Sequence, residues 1–240
     1  MIVDPNFVGD VWPAAQPGHA PADYGHASIE PMGCFPARSQ QTFTLVYHCG
    51  RYGLDDTGSI RLIQRVTADG GSFQTTNPKA ANYVTAKTSN GVALRLEEDT
   101  PGFQRPWMRS LILRVAGGYL APDDQIIITV GDRRGGSPGF TLPSFCETAH
   151  EFKIVADVIA TGHYMPVPGD MAITVSPGPP VHWHAVLPSL RQPGETFRLG
   201  IKAEDKWGNP SDAIDRVLRL ECPVAINNLP ETVTFSPGMR

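Results

Sequence analysis

The chain has 240 residues, 41% apolar and 18% charged, which is the composition of a globular protein able to bury a core and not of a disordered one. A net charge of −4 and a pI near 6.0 leave no broad basic footprint for nucleic acid or an anionic membrane surface. No apolar run approaches the ~20 residues that span a bilayer, and Met1-Ile2-Val3-Asp4-Pro5 has neither the basic nor the apolar region of a signal peptide. The expectation is a cytoplasmic protein with no nucleic-acid and no membrane partner.

With 24 glycines and 23 prolines, about a fifth of the chain is turn-forming, and there is no Gly-X-Y period. Residues 1–41 are rich in Pro, Gly and Ala and predict an extended N-terminal arm. From Thr42 the pattern changes. Thr42–Cys49 (TFTLVYHC) alternates Phe43, Leu45 and Tyr47 against Thr44, Val46 and His48, the two-residue period of a strand. Further strand-length runs are Ser59–Ala68, Tyr83–Ser89, Val92–Glu97, Ser110–Ala116, Gln125–Val130, Glu151–Ala160 and Met171–Val175. Gly, Pro, Asn or Asp bounds each of them. Leu113-Arg114-Val115 and Ile126-Ile127-Ile128 have the character of central strands. Ser211–Leu220 carries a weak helical spacing at Ile214, Val217 and Leu218, but Val217-Leu218-Arg219-Leu220-Glu221-Cys222 fits a strand, which is the reading taken.

Such runs without intervening helical periods predict an all-β fold, a large antiparallel β-sandwich over residues 42–177. Ser176-Pro177-Gly178-Pro179-Pro180 is a stiff linker, because prolines cannot occupy a central strand. Residues 178–240 then read HWHAVLP, ETFRLGIKAED, WGNP, RVLRLEC and ETVTF, the grammar of an immunoglobulin-like sandwich. That sandwich normally needs about seven strands and roughly 100 residues. Four or five strands are predicted here, so this second segment is expected to be incomplete, with further polypeptide or a partner chain supplying the rest.

No catalytic constellation is visible. His182 and His184 share a strand face, but two imidazoles are half of a zinc site, and no third ligand stands at motif distance. Leu54–Ser59 lacks the calcium-loop alternation, and no G-x-S-x-G elbow occurs. The most unusual loop is Gly131–Gly139, GDRRGGSPG. Its glycines let backbone N–H groups approach an anion, and Asp132, Arg133 and Arg134 are the candidate ligand or interdomain contact residues. The plainer reading is a strand connection whose arginines pair with neighbouring acids. Four scattered cysteines (Cys34, Cys49, Cys146, Cys222) without a C-x-x-C pair predict reduced, mostly buried thiols.

GDRRGGSPGF (Gly131–Phe140), AEDKWGNP (Ala203–Pro210), YHCGRYGLDDTGSI (Tyr47–Ile60) and VSPGPP (Val175–Pro180) together resemble the N-terminal β-rich region of the domain of unknown function 3604 family. The resemblance implies an N-terminal β-region and an immunoglobulin-like segment joined to a C-terminal metal-dependent domain. That domain is similar to the polymerase-and-histidinol-phosphatase superfamily of hydrolases. It also implies that the divalent metal belongs to that C-terminal domain. No D-x-H metal motif occurs in this chain, so no family ligand carries over, and no cofactor or metal is expected in it. The expected role is a non-catalytic scaffold region of a larger metallohydrolase-like enzyme, its partner being the downstream catalytic domain or another chain. The alternative is a stand-alone β-sandwich module for carbohydrate or protein, with Trp12, Tyr24, Trp107 and Trp183 as candidate stacking residues.

Overall fold

The computed structural model describes residues 18–211 and 214–236. The protein is all-β, with antiparallel pairing between its strands, and it divides into two compact units. Among the described residues, the first holds 18–143 and 147–175, and the second holds 144–146, 176–211 and 214–236.

Unit 1 carries β1 (Gly25–Glu30), β2 (Cys34–Pro36), β3 (Gln40–Gln41), β4 (Phe43–Cys49), β5 (Ser59–Gln64), β6 (Val84–Thr88) and β7 (Ala93–Asp99). It continues with β8 (Arg109–Ala116), β9 (Gln125–Val130), β10 (Phe140–Thr141), β11 (Glu147–Glu151), β12 (Lys153–Asp157), β13 (Met165–Pro166) and β14 (Ala172–Ser176). A four-stranded sheet, β1-β4-β9-β6, and a five-stranded sheet, β13-β12-β5-β8-β7, form the sandwich. Shorter sheets, β11-β14-β2 and β10-β3, flank them.

Alternation builds the core. Phe43, Leu45, Tyr47 and Cys49 of β4 and Ile126, Ile128 and Val130 of β9 point inward. They meet Ile60 and Leu62 of β5, Leu111, Leu113 and Val115 of β8, and Ile154 and Ala156 of β12. Both apolar-rich strands are central: β9 lies between β4 and β6, and β8 between β5 and β7. The five-stranded sheet is also covered on its other face, where Ile63, Val155, Trp107 and Tyr164 form a second cluster. That explains why β5 is apolar on both sides.

The expected N-terminal arm is corrected over its described part. Gly25–Glu30 is an edge strand, pairing in register with β4 from Gly25↔Cys49 to Glu30↔Thr44. Its inward row is Gly25, Ala27 and Ile29, small residues whose period is easily lost among prolines. Gly25 has φ +124, and a Cβ there would lie 2.3 Å from the His48 carbonyl oxygen, so only glycine lets β1 approach. Trp12 lies outside the described residues.

Unit 2 carries β15 (His182–Val186), β16 (Gly200–Glu204), β17 (Arg216–Arg219) and β18 (Thr232–Phe235). These form two separate two-stranded ribbons, β15-β16 and β17-β18. Phe197, Leu199, Ile201, Leu218 and Leu220 are only half-buried, and Val217 is 63% exposed. They contrast with Ile126 and Ile128, both 0% exposed. Among the described residues, no helix is long and apolar enough to cross a membrane.

The thiol expectation is corrected in part. None of the four cysteines forms a disulfide, and only Cys49 is buried, because only Cys49 stands on the inward row of a central strand.

Candidate functional site

The loop after β9 starts at Gly131, whose φ of +73 and lack of Cβ let it pass 2.2 Å (measured to an added Cβ) from the Phe140 nitrogen. Asp132 is buried and caps the short 3-10 turn Arg133–Gly135. Its carboxylate accepts from the Arg134 backbone N–H at 3.0 Å, from Arg134 Nε at 3.0 and 3.1 Å, and from Thr85 Oγ1 at 2.6 Å. The Arg134 hydrogen bonds hold the Asp132 carboxyl well below the usual carboxylate range; burial opposes them and Thr85 assists. Arg133 turns elsewhere and donates from Nη2 to the Gln40 carbonyl.

The structure therefore brings Asp132 and Arg134 together and sends Arg133 to β3. The backbone N–H groups of Gly131, Asp132, Arg134, Gly136 and Gly139 all donate within unit 1. None of these five remains free to cradle an anion. What the loop offers outward is the Arg134 side chain, 79% exposed, with the Arg133 residue exposed beside it.

This loop borders the outer face of the four-stranded sheet, which is organised in cross-strand rows. One row is Glu30–Thr44–Thr129–Thr85, ending at Asp132. The next is Ser28–Val46–Ile127–Lys87, and the third is His26–His48–Gln125. His26 and His48 stack with ring centroids 4.4 Å apart and planes 8° from parallel. Burial first, and then the neighbouring His26, lower the pKa of His48. Near the same end, His19 stacks on Tyr52 at 5.3 Å, Tyr24 meets Tyr52 edge-on at 5.5 Å, and the Arg51 guanidinium lies 4.8 Å from the Tyr52 ring.

The other aromatic candidates are engaged in packing. Trp107 is fully buried, with Arg65 and Lys153 over its ring at 5.1 and 4.9 Å. Trp183 is half-buried and contacts Phe235 edge-on. Tyr24 packs edge-on against Tyr52. His182 and His184 share the exposed face of β15, where His184 Nε2 lies 3.0 Å from Glu204. Among the described residues, no group of three or more His, Cys, Asp or Glu side chains could hold a metal ion.

Unit 2 has its own locked turn and its own opening. Asp205 is 1% exposed and accepts from the backbone N–H groups of Trp207, Asn209 and Gly178 and from Asn209 Nδ2. Burial pushes its carboxyl up; the Asn209, Gly178 and Trp207 hydrogen bonds outweigh that and hold it below its usual value. Sequence reasoning recognised the WGNP turn and missed Asp205 as its anchor, although an acid just before such a turn is the available signal. A cleft of about 680 Å3 also opens in unit 2. Leu187, Phe197, Leu199, Ile201 and Leu220 line it, with Arg191, Glu195 and Glu221 also contributing.

No family model matches the chain, and no curated protein matches it. Among solved structures, AvmM, which catalyses macrocyclization in alchivemycin A biosynthesis, aligns at 14% identity with a TM-score of 0.27, covering 65% of this chain and 91% of AvmM. A likeness at that level carries no argument about chemistry.

Proposed function

We propose that the chain is a non-catalytic scaffold and accessory region of a larger metal-dependent, hydrolase-like enzyme. In this reading residues 42–177 form the framework, and residues 178–240 are an immunoglobulin-like segment completed by polypeptide from outside them. The divalent metal belongs to the partner domain. The observation that carries the reading is the open cleft of unit 2, where side chains that would fill a closed sandwich core stand half-exposed. Two-stranded ribbons are marginal by themselves, and apolar area left open forfeits about 25 cal/mol per Å2. A covering strand or domain relieves both deficits. Cysteines outside any disulfide fit a reducing, cytoplasmic compartment.

The test is hydrogen exchange of this chain alone and with the metal-dependent domain whose coding sequence is sought after the Arg240 codon. Protection of residues 187–201 and 218–230 on addition or fusion of that domain is the expected result. Unchanged exchange, or no such domain encoded in frame or beside this gene, overturns the reading.

The exposed edges of β15-β16 and β17-β18 also favour a second reading, a stand-alone module that captures a protein strand by sheet extension. The carbohydrate version has less support, because Trp107 and Trp183 are engaged in packing.

A further inference from the structure

β7 is an edge of the five-stranded sheet, and its register with β8 runs unbroken from Ala93↔Ala116 to Asp99↔Ser110. The other outer edges of the two large sheets are short or engaged. β13 has two residues, the Ala27 N–H of β1 donates to the Pro168 carbonyl, and the Val84 N–H of β6 donates to the Gln74 carbonyl. Neighbouring hydrogen bonds show which main-chain groups of β7 face outward. Val115 donates to the Gly58 carbonyl and accepts from the Thr57 N–H, so its own groups point to the β5 side. These groups alternate along an antiparallel strand, so Ala116, Arg114, Ile112 and Ser110 serve β7, and their partners Ala93, Arg95, Glu97 and Asp99 face back to β8. The N–H and C=O groups of Leu94, Leu96 and Glu98 therefore point away from the sheet. Among the described residues, they make no backbone hydrogen bond. The side chains of β7 carry charges that reverse in sign about Leu96. Arg95 and Glu97 flank it on one face, while Leu94 and Leu96 pack, half-buried, against the core on the other. Arg95 stands directly opposite Arg114 of β8, a like-charge pair that destabilises a sheet. Arg114 turns to Glu97, Nε to Oε1 at 3.3 Å, and Arg95 makes no ion pair among the described residues.

We propose that β7 pairs antiparallel with β7 of a second copy of this chain, about a two-fold axis at Leu96, joining the two five-stranded sheets edge to edge. In that register Leu96 faces Leu96 of the second copy, and Leu94 faces its Glu98. Each of these pairs exchanges both main-chain hydrogen bonds, because the groups involved already point outward. Arg95 then faces Glu97 of the second copy in a non-hydrogen-bonded pair, where side chains approach more closely, and the two-fold axis repeats the contact. The unmatched guanidinium meets a carboxylate across the new boundary. An edge bearing charges of one sign repels another copy. Opposite charges placed symmetrically about the strand centre attract one and fix its register. The pairing uses unit 1 alone and is independent of what covers unit 2.

The test is analytical ultracentrifugation of the intact chain up to its highest soluble concentration. A species of twice 26.0 kDa should grow with concentration. In Arg95→Glu both cross-copy pairs become acid against acid, and the dissociation constant should rise on the order of tenfold or more. The same change removes the like-charge pair with Arg114, so the thermal midpoint at low concentration should not fall. The charge swap Arg95→Glu, Glu97→Arg makes the pairs opposite again and should restore the dimer. Residue-resolved hydrogen exchange gives an independent readout. The amides of Leu94, Leu96 and Glu98 should exchange slowly in the dimer and fast in the monomer, with those of Arg95 and Glu97 slow in both. Should Arg95→Glu fail to fold, this exchange pattern in the unaltered chain decides. A chain monomeric at every concentration overturns the proposal. So does a dimer that Arg95→Glu leaves intact, a dimer that forms without slowing those amides, or a folded charge-swap variant that stays monomeric.

Discussion

Asp132 grips Arg134 twice, once through the backbone N–H at 3.0 Å and once through the guanidinium, whose Nη2 lies 2.5 Å from Oδ2. The contact is local, only two residues apart, and it fixes the 3-10 turn within the connection from β9 to β10. The carboxylate is the buried member and the guanidinium the exposed one. Removing them should therefore have unequal effects. Asp132→Ala strips acceptors from Thr85 and Arg134 and should lower stability by about 2 kcal/mol, read as a lower urea midpoint. The double variant Arg133→Ala, Arg134→Ala should stay folded with a smaller shift, and it should weaken any contact this loop makes with a partner. An Asp132→Ala midpoint equal to that of the unaltered chain would show that the loop holds without its cap.

The same carboxylate, with Asp205, sets an acid limit. Both have folded pKa values below the ordinary 3.8, so the unfolded chain binds protons first as pH falls. The stability they contribute is fully present above about pH 4 and is lost as pH drops below it toward their folded values. Urea midpoints measured from pH 6 down to pH 2.5 should fall steeply below pH 4. In Asp132→Asn the fall should be shallower, from a lower starting stability at neutral pH. Equal slopes in the two proteins would remove Asp132 from the account.

Thiol reactivity should divide three to one. Cys34, Cys146 and Cys222 are exposed, and Cys49 is buried on the inward face of β4. Burial, with smaller contributions from Asp124 and Asp123, pushes the Cys49 thiol up to about 12. Only the thiolate is nucleophilic, so a disulfide reagent at pH 8 should modify three thiols quickly and the fourth only as the protein unfolds. A fourth fast thiol in the native chain would contradict the placement of β4.

The longer strands between Thr42 and Val175 are legible because their side chains alternate and turn residues bound them, whereas the short β10, β11 and β13 carry too few alternating positions to be read. Ile126–Ile128 reads as central from composition alone, and it is central. The strand Gly25–Glu30 was not legible, since an inward row of Gly, Ala and Ile carries little apolar signal. For the candidate site, Asp132, Arg133 and Arg134 could be named as an unusual loop, but their partners could not. Thr85 and Gln40 lie far away in sequence and meet the loop only through sheet pairing. His26 and His48 were hidden for the same reason. Their facing arrangement is a property of the β1/β4 register, and no local spacing rule encodes it.

The two units should respond very differently to equivalent truncations. Ile128 is 0% exposed in the centre of the four-stranded sheet, with inward neighbours from both layers of the sandwich. Removing its branched side chain leaves a cavity that rigid strands cannot collapse, so Ile128→Ala should cost about 2–5 kcal/mol. Leu218 and Ile201 are half-buried on two-stranded ribbons, and Ile201 borders the open cleft. Their methyl groups have fewer packed neighbours to lose, and the surroundings can relax into open space. Leu218→Ala and Ile201→Ala should each cost below ~1 kcal/mol in the chain alone, the range of partly exposed positions. Hydrogen exchange should follow the same division, slow in β4 and β9 and fast in β15 to β18. If a covering polypeptide fills the cleft, the cost of Ile201→Ala should rise in its presence while that of Ile128→Ala stays constant. A cost for Ile201→Ala in the isolated chain that equals the Ile128→Ala cost would mean that unit 2 has a closed core of its own, and the need for a covering segment would disappear.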